Sequence, residues 1–223
     1  MNKFYNQNII LQWAIALLML MVPFVILASL IKFHQDYIIV YILIIFVPSS
    51  IQFFGAPIAK LSGIHKYLSP MLLVNSASDK KYEIHNGTTF DYLMVMNNVK
   101  SGPEFSKKML VYYLEGLIKI TEKIETNELS ENVLIQGSSY FFNERTAKKL
   151  GFKLSKTNVA IKINMLVNYL DLIWTYSLSQ GRLTFPNLIN MQTVSVKGKH
   201  LVMKKTKLNE LILFLSRTGK KNI

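Results

Sequence analysis

Two apolar runs open the chain, residues 9–31 and 37–59, each 23 residues long and free of ionisable side chains. About 20 such residues, rising about 1.5 Å each, cross a hydrocarbon core of about 30 Å. Each run therefore predicts a membrane-spanning helix. Only Lys32, Phe33, His34, Gln35 and Asp36 separate them, which predicts an antiparallel hairpin. A secretory signal has a shorter apolar region, about 7–15 residues, followed by a cleavage site; here a second run follows at once. Tyr5, Trp13, Phe33, Tyr37 and Tyr41 fall near the ends of the runs, where amphipathic rings meet headgroups. Pro48, Ser49 and Ser50 mark the expected kink of the second helix. With no charged residue at depth, the pattern argues against an ion or proton path.

Beyond residue 59 the apolar positions shorten into alternating and helical periods. Residues 60–69 read as a basic connector, 71–74 and 82–85 as paired strands, and 88–96 as strand or helix. Ser101, Gly102, Pro103 and Glu104 signal a helix start. Phe105, Met109, Tyr113, Leu117, Ile120 and Ile124 then keep one apolar face to about residue 126. A strand over 133–136, broken by Gly137, Ser138 and Ser139, leads to a short helix. That helix has Asn143 as cap, Glu144 in its first turn, Lys148 and Lys149 in its last, and Gly151 just beyond. Strands follow over 152–154 and 159–163, the second from the alternation of Val159, Ile161 and Ile163. A helix over 164–180 closed by Gly181, a β-like region over 183–202 and a last helix over 208–216 complete the chain. These elements predict a mixed α/β (α+β) single soluble domain, residues 60–223, behind a lead-in of residues 1–8 and the transmembrane hairpin of 9–59.

Charge sets the orientation of that scheme. Of 26 Lys and Arg against 13 Asp and Glu, the first 59 residues hold only Lys3, Lys32 and Asp36, so the domain alone is strongly basic. Lys3 on one side, with Lys60, His65, Lys66, Lys80 and Lys81 on the other, places both chain ends on the cytoplasmic side of an inner membrane, or the matrix side of an organellar one. Residues 182–223 carry nine Lys and Arg against Glu210 alone. Lys60, Lys66, Lys204, Lys205, Lys207, Arg217, Lys220 and Lys221 are accordingly expected to meet anionic headgroups, each contributing about 1 kcal/mol near the surface. No nucleic-acid motif or aromatic platform accompanies the lysines, which argues against nucleic acid as the partner. With no cysteine and four widely spaced histidines, the sequence offers no metal site and names no cofactor.

Two segments could carry chemistry. His85, Asn86, Thr88, Thr89 and Asp91 cluster at the Asn86-Gly87 turn, with His85 as acid or base near neutral pH and Asp91 as its orienting carboxylate. Gly137, Ser138, Ser139 and Asn143 lead into a helix start, where backbone N–H groups could receive a substrate or anion. The P-loop spacing is absent there, and so is the nucleophile elbow.

Residues 143–152, NERTAKKLGF, resemble the late helix and strand of the GNAT acetyltransferase superfamily, in which an asparagine-led short helix ends in a leucine-glycine-phenylalanine step. The resemblance implies acyl transfer and covers ten residues of 223. The superfamily's pyrophosphate-binding signature, Gln or Arg, two residues, then Gly-x-Gly or Gly-x-Ala, does not occur in the chain, so no catalytic residue carries over. The sequence reads first as a membrane-anchored binding module or subunit of a membrane assembly. The other reading is a membrane-tethered transferase acting on a small or lipid-linked substrate, which requires the His85–Asp91 and Gly137–Asn143 segments to converge.

Overall fold

The structure, a computed structural model, describes residues 3–34, 47–138, 144–189 and 191–217. After a short 3-10 turn, Lys3–Asn6, the first helix α1 (Ile9–His34) runs for 26 residues with Pro23 inside it. Helix α2 (Val47–Leu61) returns alongside. A Cβ on Gly55 of α2 would touch Leu20 of α1 at 3.8 Å, while the Lys60 ammonium lies over the Tyr5 ring at 3.2 Å. Late residues thus meet early ones, and the pair is antiparallel. Among the described residues, α1 alone is long and apolar enough to cross a membrane, and only 11% of that stretch is buried. Helix α2 has 15 residues, about 22 Å at the helical rise, so the expectation of two complete spans is met by one. The rest of the second run, residues 37–46, lies outside the described residues. Pro48 falls in the first described turn of α2, a position that tolerates proline without a kink.

The domain is built on six strands: β1 (Lys66–Ser69), β2 (Leu72–Ala77), β3 (Lys81–Asn86), β4 (Leu134–Ser138), β5 (Lys153–Lys156) and β6 (Gln192–Lys197). Their order is β1-β2-β3-β4-β6-β5. Every neighbouring pair is antiparallel except β3 and β4, which run parallel with Ile84 opposite Gly137. Between these two strands the chain makes a crossover through α3 (Thr89–Val95) and the long α4 (Pro103–Glu125). Alternation sends Leu72, Val74, Ile84, Ile135, Val194 and Val196 to one face of the sheet, where they pack against Phe105, Met109, Leu117 and Ile120 of α4. Helix α4 begins where the pattern placed it, after Gly102 at φ 98° with proline in the first turn. Helices α8 (Gly198–Val202) and α9 (Lys205–Arg217) close the same core with Leu201 and Leu208. The remaining described helices are α5 (Glu144–Lys149), α6 (Val159–Val167) and α7 (Tyr169–Gln180).

Several elements depart from the sequence pattern for identifiable reasons. Residues 159–163 are helix, not strand: Asn158 caps α6 by accepting from the Ala160 N–H at 3.0 Å. Val159, Ile163, Leu166 and Val167 form a helical stripe, while Val159, Ile161 and Ile163 happen to alternate as well. The connector after α2 contains strand β1, which the short polar run KYLS does not announce. Gly137 and Ser138 extend β4 rather than break it. The region 183–202 holds one strand, β6, and the whole of α8.

Close approach fixes Gly116 in α4, where an added Cβ would sit 2.9 Å from the Leu72 Cβ and 2.5 Å from its Cδ2. Gly116→Val should destabilise the protein by about 1–3 kcal/mol, the usual cost of overpacking a filled core. A denaturation midpoint in detergent unchanged from wild type would show that α4 does not lie this close to β2.

Candidate functional site

Strand β3 ends at the turn into α3, and the described part of β4 ends beside it at Ser138. A cavity of about 430 Å³ lies at the β3 end. Its floor is the second face of the sheet, with Leu73, Asn75 and His85. Beside it stand His65, just before β1, and the β3–α3 turn of Asn86, Gly87, Thr88 and Thr89. One side wall is α2 of the apolar hairpin, contributing Ile51, Gln52, Gly55, Ala56 and Ala59. The opposite wall is the α6–α7 pair, contributing Asn164, Asn168, Asp171 and Thr175. The hairpin is therefore part of the site and not a remote tether.

Titratable groups in this cavity are all pushed toward their neutral forms. Burial lowers the His85 pKa, and the Glu83 carboxylate only partly offsets it. The protein crowds around the imidazole without covering it: His85 remains exposed, open to the cavity. Burial also lowers the pKa of His65, and the two imidazoles are close enough for His85 to contribute. On the facing wall, burial raises the Asp171 carboxyl, against the opposing influence of the Thr89 and Ser49 hydroxyls. Two polar atoms of the lining residues are buried without a hydrogen-bond partner in the described structure, His65 Nδ1 and Asp171 Oδ2.

Asp91 occupies a different place from the one its spacing implied. It is 1% exposed and accepts, at Oδ2, from the Tyr67 hydroxyl at 2.5 Å, the Thr88 hydroxyl at 2.8 Å and the Thr88 N–H at 2.9 Å. It closes a capping box on α3, and none of the described hydrogen bonds joins it to His85. Burial raises its pKa, while Tyr67, Thr88 and the Lys60 charge pull the other way. Burial and this carboxylate together drive the Tyr67 pKa well up. The Asn86-Gly87 step is a strand-to-helix junction, pinned by the Gly87 N–H donating to the Met71 carbonyl at 2.9 Å.

The two segments singled out in the sequence do meet. Because Ile84 pairs with Gly137, His85 and Ser138 follow at neighbouring strand ends, about 5 Å apart by the usual spacing of paired strands. Ser139 and Asn143 lie outside the described residues, as do Lys220 and Lys221. Of the basic positions, Lys60 sits at the cavity end, over Tyr5 and 4.9 Å from the Tyr67 ring, and Lys66 opens β1. Lys205 binds Glu125 at the end of α4. With Lys204 and Lys207 it belongs to the opposite end of the sheet, beyond the close of β6, and α9 carries Arg217 back along α4. His65 and Asp171 were not distinguishable in the sequence as site residues: one stood in a basic connector, the other in the first turn of an amphipathic helix. Among the described residues no three His, Asp or Glu side chains are grouped to hold a metal ion.

Stability should report the histidines' environment. From the ordinary value of 6.5 downward, the unfolded chain takes up protons before the folded one, so stability falls as pH falls through this window and levels off below the folded values. The raised carboxyls of Asp91 and Asp171 act in the opposite sense, stabilising the fold on acidification. Wild type should therefore lose more stability between pH 7 and pH 5 than the His65→Gln/His85→Gln double variant, measured by chemical denaturation in detergent; equal losses would show ordinary histidines. No family model matches this chain, and neither a curated protein nor a solved structure is significantly similar to it.

Proposed function

We propose that the chain is a membrane-anchored transferase whose cavity receives the polar head of a lipid-linked substrate at the bilayer interface. The observation that carries the reading is that His65 Nδ1 and Asp171 Oδ2, on residues lining one cavity, are buried without a hydrogen-bond partner in the described structure. Buried polar groups are rarely left without partners, and each exception calls for an explanation; a bound headgroup supplies one.

Membrane integration rests on α1, which is apolar along its length and mostly unburied, and on α2 returning beside it. Most of α2 belongs to the second apolar run of the sequence, residues 37–59, which is the basis for reading both helices as membrane-embedded. Phe4 and Tyr5 pack against Phe90, and Tyr5 also against Lys60, which keeps the chain start and the domain on one side. The positive-inside bias makes that side cytoplasmic.

The chemistry follows from opposed pKa shifts on facing walls. His85, held neutral, takes the proton of an acceptor hydroxyl or amine as that group attacks. Asp171, displaced toward its protonated form, returns a proton to the leaving group. The likeness of residues 143–152 to GNAT acetyltransferases supports transfer chemistry; α5 falls on that segment and β5 follows it. Acyl-CoA itself does not fit that superfamily's way of holding it. The signature is absent, and the glycine at the end of β3 is filled from behind: a Cβ on Gly87 would meet Met71 Cε at 2.9 Å and Asp91 Cβ at 3.2 Å. No step is assigned to that cofactor.

The full-length protein purified in mild detergent should carry a bound amphiphile detectable by mass spectrometry. Asn168→Trp, which fills the cavity from α6–α7, should lose it. His85→Ala should retain it while no longer converting it. A stoichiometric set of protein partners with no small molecule would make the chain a binding subunit instead.

A further inference from the structure

The cavity wall formed by α2 runs from Ala59 back to Ile51, eight residues and about 12 Å along the helix axis. Ser49, still further along, lies beside Asp171 of α7. The α6–α7 pair therefore reaches along the hairpin well past Lys60, to a level that the membrane reading places inside the bilayer. An element at that level meets lipid wherever protein does not cover it.

Helix α6 has the surface such a position requires. None of its residues is buried, and Val159, Ile163 and Leu166 repeat at helical spacing with exposures of 69%, 58% and 64%. The segment after α7 adds Leu183, Phe185 and Ile189, which is 81% exposed. That segment is tied back against the pair: Lys162 of α6 donates to the Ile189 carbonyl at 3.3 Å, and the Tyr169 hydroxyl donates to the Pro186 carbonyl at 3.2 Å. Asn164 and Asn168 meanwhile line the cavity. One polar side turned to the cavity and one apolar side turned outward, with Lys162 at the border, is the pattern of a helix lying in a membrane interface.

We infer that α6 and residues 183–189 are a membrane-embedded platform, seated in the same leaflet as the domain-side end of the hairpin, so that the cavity between α2 and α6–α7 opens to that leaflet. The inference rests on the proposed anchoring of the hairpin and deepens it: the substrate arrives laterally from the lipid phase, and the domain is fixed to the bilayer at two places.

The absence of cysteine permits a direct test on the full-length chain in phosphatidylcholine–phosphatidylglycerol vesicles. Single variants Ile163→Cys, Leu166→Cys and Phe185→Cys carry an environment-sensitive fluorophore. Leu18→Cys on α1 and Met203→Cys beside α8, both exposed positions, serve as references. The platform labels should be quenched by doxyl-labelled lipid and shielded from aqueous iodide, as Leu18→Cys is, with Met203→Cys showing the reverse. Iodide quenching at the platform with lipid quenching intact at Leu18→Cys would overturn the platform alone. Failure of lipid quenching at Leu18→Cys as well would overturn the anchoring reading beneath it. Protection from both quenchers would mean that protein, such as a second copy, covers α6, and would overturn the lipid assignment.

Discussion

A buried carboxylate joins the apolar hairpin to the sheet. Asp91 gathers the Tyr67 hydroxyl of β1 and the cap of α3, and it feels the Lys60 charge at the end of α2. Lys60 in turn lies over the ring of Tyr5, ahead of α1. Phe90, beside Asp91 in the chain, packs against Phe4, Tyr5 and Phe53 from the start of the chain and from α2. Hydrogen bonds to a charged acceptor are among the stronger kind, and a charge deprived of one such partner in a buried setting is costly. The ends of both hairpin helices, the first strand and the first helix of the domain are thereby held in one arrangement.

That joint determines what the cavity is. Were α2 a flexible tether, the face of β2 and β3 that carries Leu73, Asn75 and His85 would lose its wall on one side. Held against the sheet, α2 walls in His65 and His85 from one side while α7 brings Asp171 from the other, and desolvation shifts all three toward neutrality. Neutral bases and a carboxyl displaced toward protonation thus face one another across the cavity beside α2.

Much of this architecture was legible from residue patterns. The 26-residue α1, the capped and proline-led α4, and α5 with Gly151 at its end were all signalled by length, periodicity or caps. The failures have a common cause. Where a segment is short and apolar, as at residues 159–163, alternation and helical spacing coincide, and only the Asn158 cap and the neighbouring tertiary structure decide. The site was half legible: the parallel register sets the His85 and Gly137 segments on neighbouring strands, but Gly137 is not among the described residues that line the cavity. Asp91 was misassigned because a capping box and a His-Asp pair draw on the same residues at similar spacing. His65 and Asp171 acquire meaning only from long-range packing, which no local pattern encodes.

The central claim is that anchor and domain form one rigid body with the cavity between them. Spin labels on Leu18→Cys of α1 and Leu213→Cys of α9, both at exposed positions, allow their separation to be measured by pulsed electron resonance in lipid nanodiscs. A single narrow distance distribution is the result predicted for a hairpin locked through Asp91. A broad distribution, typical of a domain swinging on a tether, would contradict the account.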